Sequence, residues 1–236
     1  MKIIHVSLAL SLGVCIFSPF SSLMRKEGGF QTSFLNDLVV ENPPISLNKT
    51  LLSVPPSVQE NGYFCVPACL QMVLAFHGVA QTQSILALQM NTSSITGTEY
   101  VDLARVVNQY LFNCTVPTDS QGGYRIQKFS PNASTMTEEE KNLFQQRIFQ
   151  DISTQDPVFV AVNRNVLYPE LSPANHMVIV VGYATYEGSN RLAYYYIIDP
   201  SYQVQDPVYG GLKVITDEEL IKGIMLNEAN EKAYIW

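Results

Sequence analysis

The chain is short of charge, and shortest of positive charge. Only 15% of its 236 residues are charged, and 14 Lys and Arg face 21 Asp and Glu. A usual globular share is about 25%. The formal net charge of −7 and the pI near 4.9 exclude a protein that grips nucleic-acid phosphates electrostatically. Histidine, cysteine and tryptophan are also scarce, at 3, 4 and 1 residues. No internal repeat or low-complexity tract is present. What the chain does have is apolar and aromatic: 47% hydrophobic residues, 13 Tyr and 11 Phe. That mix excludes disorder, collagen and coiled coil, and it supplies a core for one domain or two small ones. With so few His and Cys, chemistry that needs them can be traced by elimination.

The N-terminus reads as an address. Met1-Lys2 is a short basic start, and Ile3 to Phe17 is almost uninterruptedly apolar. That run has the length of a signal-peptide core and falls short of the roughly 20 residues of a spanning helix. Ser18 to Ser22 then breaks the helix. Residues 1–22 are therefore expected to be a signal peptide or an uncleaved anchor, and the mature chain to be exported with no transmembrane segment. Residues 23–54 have the Gly-Gly and Pro-Pro punctuation of an extension or linker, within which Val39-Val40 and Leu51-Leu52 are candidate short strands or clips that pack onto the domain. The organised domain is expected over 55–236.

Within that domain helices come first. Cys65–Phe76 reads as a buried helix with Pro67 in its first turn and Gly78 after its end. Short helices follow over Gln83–Met90 and Thr98–Tyr110, the latter with Thr98 as cap and Val101, Ala104, Arg105 and Val107 at helical spacing. Thr137–Ile152 is an amphipathic helix opened by Glu138, Glu139 and Glu140. Strands then take over at Pro157–Asn163, His176–Tyr186 and Leu192–Asp199, with Gly188-Ser189-Asn190 as a hairpin turn. Val208–Ile215, Asp217–Met225 and Tyr234–Trp236 read as strand, helix and strand. Helices followed by an antiparallel sheet make an α+β fold.

Elimination narrows the chemistry. His5 lies in the signal segment, and His77 ends the first helix about 18 Å along it from Cys65. His176 remains, at the mouth of the apolar strand Met177–Gly182, where an imidazole must find a hydrogen-bond partner. Cys15 leaves with the signal, so Cys65, Cys69 and Cys114 remain, an odd number. Cys65 heads a helix, where unpaired amides and the dipole favour a thiolate. A thiolate needs an imidazole as ion-pair partner and proton donor, so Cys65 and His176 explain each other. Cys69 is able to bridge to Cys114, leaving Cys65 free; plain buried thiols and a Cys65–Cys69 redox pair stay open beside that. Asp199 ends the strand that returns in the hairpin, roughly 5 Å across the ladder from His176. It is placed to orient the imidazole, as an acid does in such triads. Gln59, an uncharged amide upstream, is a candidate oxyanion donor, as is the Cys65 backbone N–H. A lone histidine with a structural role, a strand-ending aspartate and a surface glutamine are the plainer alternatives. Cys65 and Cys69 with one histidine give no second ligand pair for zinc, so neither metal nor cofactor is expected.

These residues carry a resemblance. Gln59, then Cys65-Val66-Pro67-Ala68, then Asn175-His176-Met177-Val178-Ile179-Val180-Val181-Gly182-Tyr183, then Ile197-Ile198-Asp199-Pro200 resemble the C39-like branch of the papain-like cysteine peptidases. The resemblance covers about Pro55 to Ile224. It implies a papain-like fold, with a helical part headed by the catalytic cysteine packed on a C-terminal antiparallel sheet. It also implies Cys65 as nucleophile, His176 as general base and acid, Asp199 as orienting residue and Gln59 in the oxyanion hole. Two departures stand out: Val66 replaces the glycine usual after the cysteine, and Asn175 the glycine common before the histidine. The leading expectation is an exported, monomeric thiol peptidase acting on a peptide or protein substrate. An acyl transferase or amidase with the same triad, and a non-catalytic exported binding module, are the alternatives.

Overall fold

Local sequence explains the elements that frame the site. The computed structural model describes residues 46–228 and 232–236. The expected signal peptide and the candidate strand at Val39-Val40 lie outside those residues. The first helix, α1 (Cys65–Phe76), is buried from Val66 to Leu74 except at Gln71, and carries no charged residue. A helix apolar almost all round belongs inside the protein. It packs along a strand and against two further helices, α2 (Gln83–Gln89) and α3 (Tyr100–Leu111). Gly78, at φ +78, supplies the left-handed turn that ends α1.

Seven strands form one sheet among the described residues, every pairing antiparallel. They are β1 (Leu47–Leu51), β2 (Ile126–Phe129), β3 (Val158–Asn163), β4 (Asn175–Tyr186), β5 (Leu192–Ile198), β6 (Leu212–Ile215) and β7 (Lys232–Ile235). Their order is β2-β7-β3-β4-β5-β6, with β1 also pairing β4. β3 and most of β4 are buried on both faces, matching their continuous apolar runs. One face is covered by α4 (Glu138–Ser153) and α6 (Asp217–Met225). Phe144 of α4 packs edge-on against Tyr195 and Tyr234, and the Tyr195 hydroxyl donates to Asp217 at the head of α6, 3.1 Å away. Thr137 and Thr216 start these two helices with full capping boxes. A short α5 (Arg164–Leu167) links β3 to the loop before β4.

The α+β expectation and most elements hold, with four differences. First, α3 begins at Tyr100, because the Thr98 hydroxyl pairs with Thr92 (2.7 Å) and does not cap the helix. Second, β6 starts at Leu212. The Asp206 carboxylate accepts the Val208 and Tyr209 amides (2.8 Å each) and folds that stretch into a turn. Third, β2 and α5 are additional elements. Fourth, the candidate strand at Leu51-Leu52 is the end of a longer β1, which pairs with β4 across Leu47–Leu51 and Gly182–Tyr186 although it lies in the extension.

The sheet's end at β5 is held by contacts that leave no spare room. The Asp199 amide donates to the Gly211 carbonyl (2.9 Å), and a Cβ on Gly211 would collide with the Asp199 carbonyl oxygen. Gly211→Ala is expected to cost about 1–3 kcal/mol or more, as overpacking does. Gly62, with open space around its missing Cβ, is the control: Gly62→Ala is expected to stay within about 0.5 kcal/mol. Urea unfolding of the two variants checks both.

Candidate active site

The hairpin β4–β5 brings a histidine and an aspartate together. Ile179 pairs with Ile198 and Val180 with Ile197. Extending that register one residue beyond Ile198 places Val178 opposite Asp199. His176, two residues further, shares its face. The two side chains therefore meet on the diagonal, which long side chains span, rather than directly across. His176 Nε2 lies 2.7 Å from Asp199 Oδ1. Asp199 is fully buried and His176 is 7% exposed. The same Oδ1 accepts the Ser201 amide at 2.7 Å, in an Asx turn set by Asp199-Pro200-Ser201. The Tyr168 hydroxyl lies beside the carboxylate, although Oδ2 meets no donor at full hydrogen-bond geometry.

With Nε2 engaged by Asp199, Nδ1 is the ring nitrogen left for Cys65, whose thiol lies within hydrogen-bonding range of the imidazole. Cys65 is the first residue of α1. Its N-cap, Phe64, offers no side-chain cap, so the amides at the helix start remain available to the sulfur. The Met177 and Val66 amides point at it. One turn along, the Cys69 thiol donates to the Met177 carbonyl at 3.4 Å. Met177 is thus held from both sides by α1, its N–H on one sulfur and its C=O on the other. This clip fixes the helix start against the strand residue that follows His176.

Electrostatics follow from the contacts. Burial by itself pushes the Cys65 thiol up. The His176 hydrogen bond and charge, with the two amides, more than reverse this and hold it below its ordinary value. Burial would lower His176, but the Asp199 carboxylate and the Cys65 sulfur raise it to about 10. Burial would raise Asp199, and the His176 charge and the donors around it pull it below the usual carboxylate range. Cys69 is pushed well up by burial and by the neighbouring Cys65 and Asp199 charges, so it stays a thiol.

Of the alternatives left open for Cys69 and Cys114, the structure has the unbridged one: Cys65, Cys69 and Cys114 are all free thiols. Cys69 is fully buried beneath the site and its sulfur is committed to Met177. Gln59 is 7% exposed, and its amide N–H donates to the carbonyl of Pro200, next to Asp199, at 2.8 Å. Its side-chain Nε2 donates to the Asn61 carbonyl (2.7 Å), which leaves one Nε2 hydrogen uncommitted. A cleft of about 300 Å³ opens beside Cys65 and His176, between Val66 and Met177 and the loop before α3. Gln59 does not line it. Sequence reasoning did not find Met177, Ser201 or Tyr168. Of these, Ser201 had a local signal, the Asp-Pro-Ser turn, whereas the Met177 contacts are made by the backbone.

The signs of these shifts set a pH window. Cys65 loses its proton below its ordinary value, and His176 keeps its proton until about pH 10. Thiolate and imidazolium therefore coexist between those limits. The pair is lost at low pH by protonation of Cys65 and at high pH by deprotonation of His176. Ultraviolet thiolate absorbance is expected to persist at neutral pH. It should shift towards the alkaline range of an ordinary thiol in His176→Ala.

Comparison with solved structures finds distant similarity. A double-glycine-motif protease from an AMS/PCAT transporter, crystallised with a leader peptide, is 16% identical; the match covers 79% of this chain and 91% of that one, with a TM-score of 0.46. A protein described as a C39-like peptidase from Bacillus anthracis is 14% identical, with coverage of 80% and 96% and a TM-score of 0.48. The peptidase domain of Streptococcus ComA, a bifunctional ABC transporter of a quorum-sensing pathway, is 15% identical, with coverage of 76% and 94% and a TM-score of 0.44. A comparison with curated proteins finds no match. The family model described as the Peptidase_C39 like family matches residues 51–219, a span that contains Cys65, His176 and Asp199. On that match over most of its length, the chain belongs to the C39-like peptidase family.

Proposed function

We propose that the protein is an exported thiol peptidase that cleaves peptide bonds with Cys65, His176 and Asp199. One observation carries this reading: a buried imidazole sits between a buried carboxylate and a thiol at a helix start. Cys65 as thiolate attacks the scissile carbonyl carbon and forms the carbon–sulfur bond. The developing oxyanion takes the Cys65 backbone N–H and the uncommitted hydrogen of Gln59 Nε2. His176 gives its proton to the leaving amine as the carbon–nitrogen bond breaks. A water molecule, losing its proton to His176, then attacks the thioester and releases the acid and the thiolate. Asp199 holds the ring in orientation and stabilises its charged form. Export rests on the apolar run Ile3–Phe17 behind a basic start.

An electrophilic thiol probe and a peptide library test the chemistry. Cys65→Ala is expected to abolish labelling and cleavage, while Cys69→Ala keeps the labelling. Asp199→Asn is expected to lower kcat by roughly 10²–10⁴, the range for losing the orienting acid. Unchanged labelling in Cys65→Ala would sink the reading. Product analysis with added amines separates hydrolysis from acyl transfer, since a transferase would give the new amide in place of the acid. N-terminal sequencing of the processed protein tests export; a chain still starting at Met1 would contradict a cleaved signal.

A further inference from the structure

Apart from the Cys65–His176 pair itself, the charge lining the cleft beside Cys65 is of one sign. Two carboxylates line it, Glu99 and Glu228, and no lysine or arginine does. Both side chains are exposed, and neither is in an ion pair among the described residues. Glu99 is the N-cap of α3, yet its carboxylate makes no capping bond. It is thus free of the structural role that an acid at that position usually has. Glu228 is placed deliberately: its amide donates to Asn175 Oδ1 at 3.0 Å, which ties it to the residue before His176. Here the asparagine that departs from the family pattern has a defined use. The rest of the wall is mixed, with Thr96, Thr98, Asn175 and His176 beside a few apolar side chains. Val66, the other departure, and Met177 are buried at the cleft, and Ile95 stands 92% exposed at the tip of the facing loop. That loop is held in shape by the Ser93–Gly97 bridge and the Thr92–Thr98 hydroxyl pair.

A long apolar stem ending in a cation fits such a surface, because lysine and arginine lay their methylenes on apolar walls and present the charge beyond them. We propose that this cleft is a specificity subsite for a lysine or arginine side chain of the substrate near the scissile bond. Its stem would lie on the exposed Ile95, and its charge would meet Glu99 and Glu228. The proposal rests on the reading of Cys65 and His176 as a peptidase pair for its use in cleavage, but the charge selectivity itself does not.

The experiment has two arms, both on the full chain and on E99Q/E228Q. In the first, Cys65 is modified by cationic aminoethyl and neutral methyl methanethiosulfonate. The cationic-to-neutral rate ratio is expected to fall roughly three- to tenfold in the double variant, the scale of two exposed charge pairs, and to fall likewise in the wild type at high salt. In the second arm, peptides differing only in Lys or norleucine near the cleaved bond are compared by kcat/KM. The Lys preference is expected to shrink by a similar factor in E99Q/E228Q. An unchanged reagent ratio, or equal cleavage of Lys and norleucine peptides, would overturn the subsite and leave the peptidase reading standing. A reagent ratio that falls while no peptide is cleaved supports the cation subsite and counts against the peptidase reading instead.

Discussion

A carboxylate with no exposure to solvent is expensive unless it is paired, and the site is organised around that requirement at Asp199. The partner is His176, held 2.7 Å away by a hairpin whose register is fixed by two apolar strands. The pairing explains why the imidazole stays charged although it is buried. A charged imidazole in turn stabilises a thiolate at the half-buried Cys65. Each group tolerates its location only because the next one is present. The surrounding turns serve the same carboxylate: the Ser201 amide shares its oxygen, and Gly211 lets β6 approach its backbone.

The second constraint is mechanical. Cys65 and His176 come from different parts of the fold, one from a helix start and one from a strand start. They meet because α1 is apolar enough to lie buried along β4. The Met177 backbone sets the fine position, with one sulfur on its amide and another on its carbonyl. Cys69 therefore gains a use that requires a reduced thiol. A disulfide to Cys114 would remove the donor that holds Met177.

Features encoded by local rules were legible in the sequence. The uncharged run Cys65–Phe76, the Glu-rich opening of α4 and the alternation across Leu192–Ile198 led to the right elements because burial and capping act over a few residues. Cys65 and His176 were legible because the chain has so few His and Cys, and Asp199 because the hairpin returns it to His176. The features that were not legible depend on long-range pairing. β2 and most of β1 are short stretches whose only distinction is their partners, β7 and β4. The Met177 clip is made by backbone groups that every residue has. Thr98 looked like a helix cap, but a neighbouring hydroxyl at Thr92 competed for it. The face of α3 likewise shifted, leaving Val101 exposed and burying Asn108, whose side chain binds the Tyr124 backbone.

The charge state of His176 tests this picture most directly, because the aspartate below it and the sulfur above it both act through that ring. It can be read by following the imidazole nitrogens by NMR across a pH titration of the wild type and of Asp199→Asn. The predicted result is a ring protonated on both nitrogens through neutral pH in the wild type, with deprotonation near pH 10, and a marked fall of that midpoint in Asp199→Asn. A His176 ring that titrates near 6.5 in the wild type, as an unperturbed histidine does, and is unmoved by Asp199→Asn would contradict it.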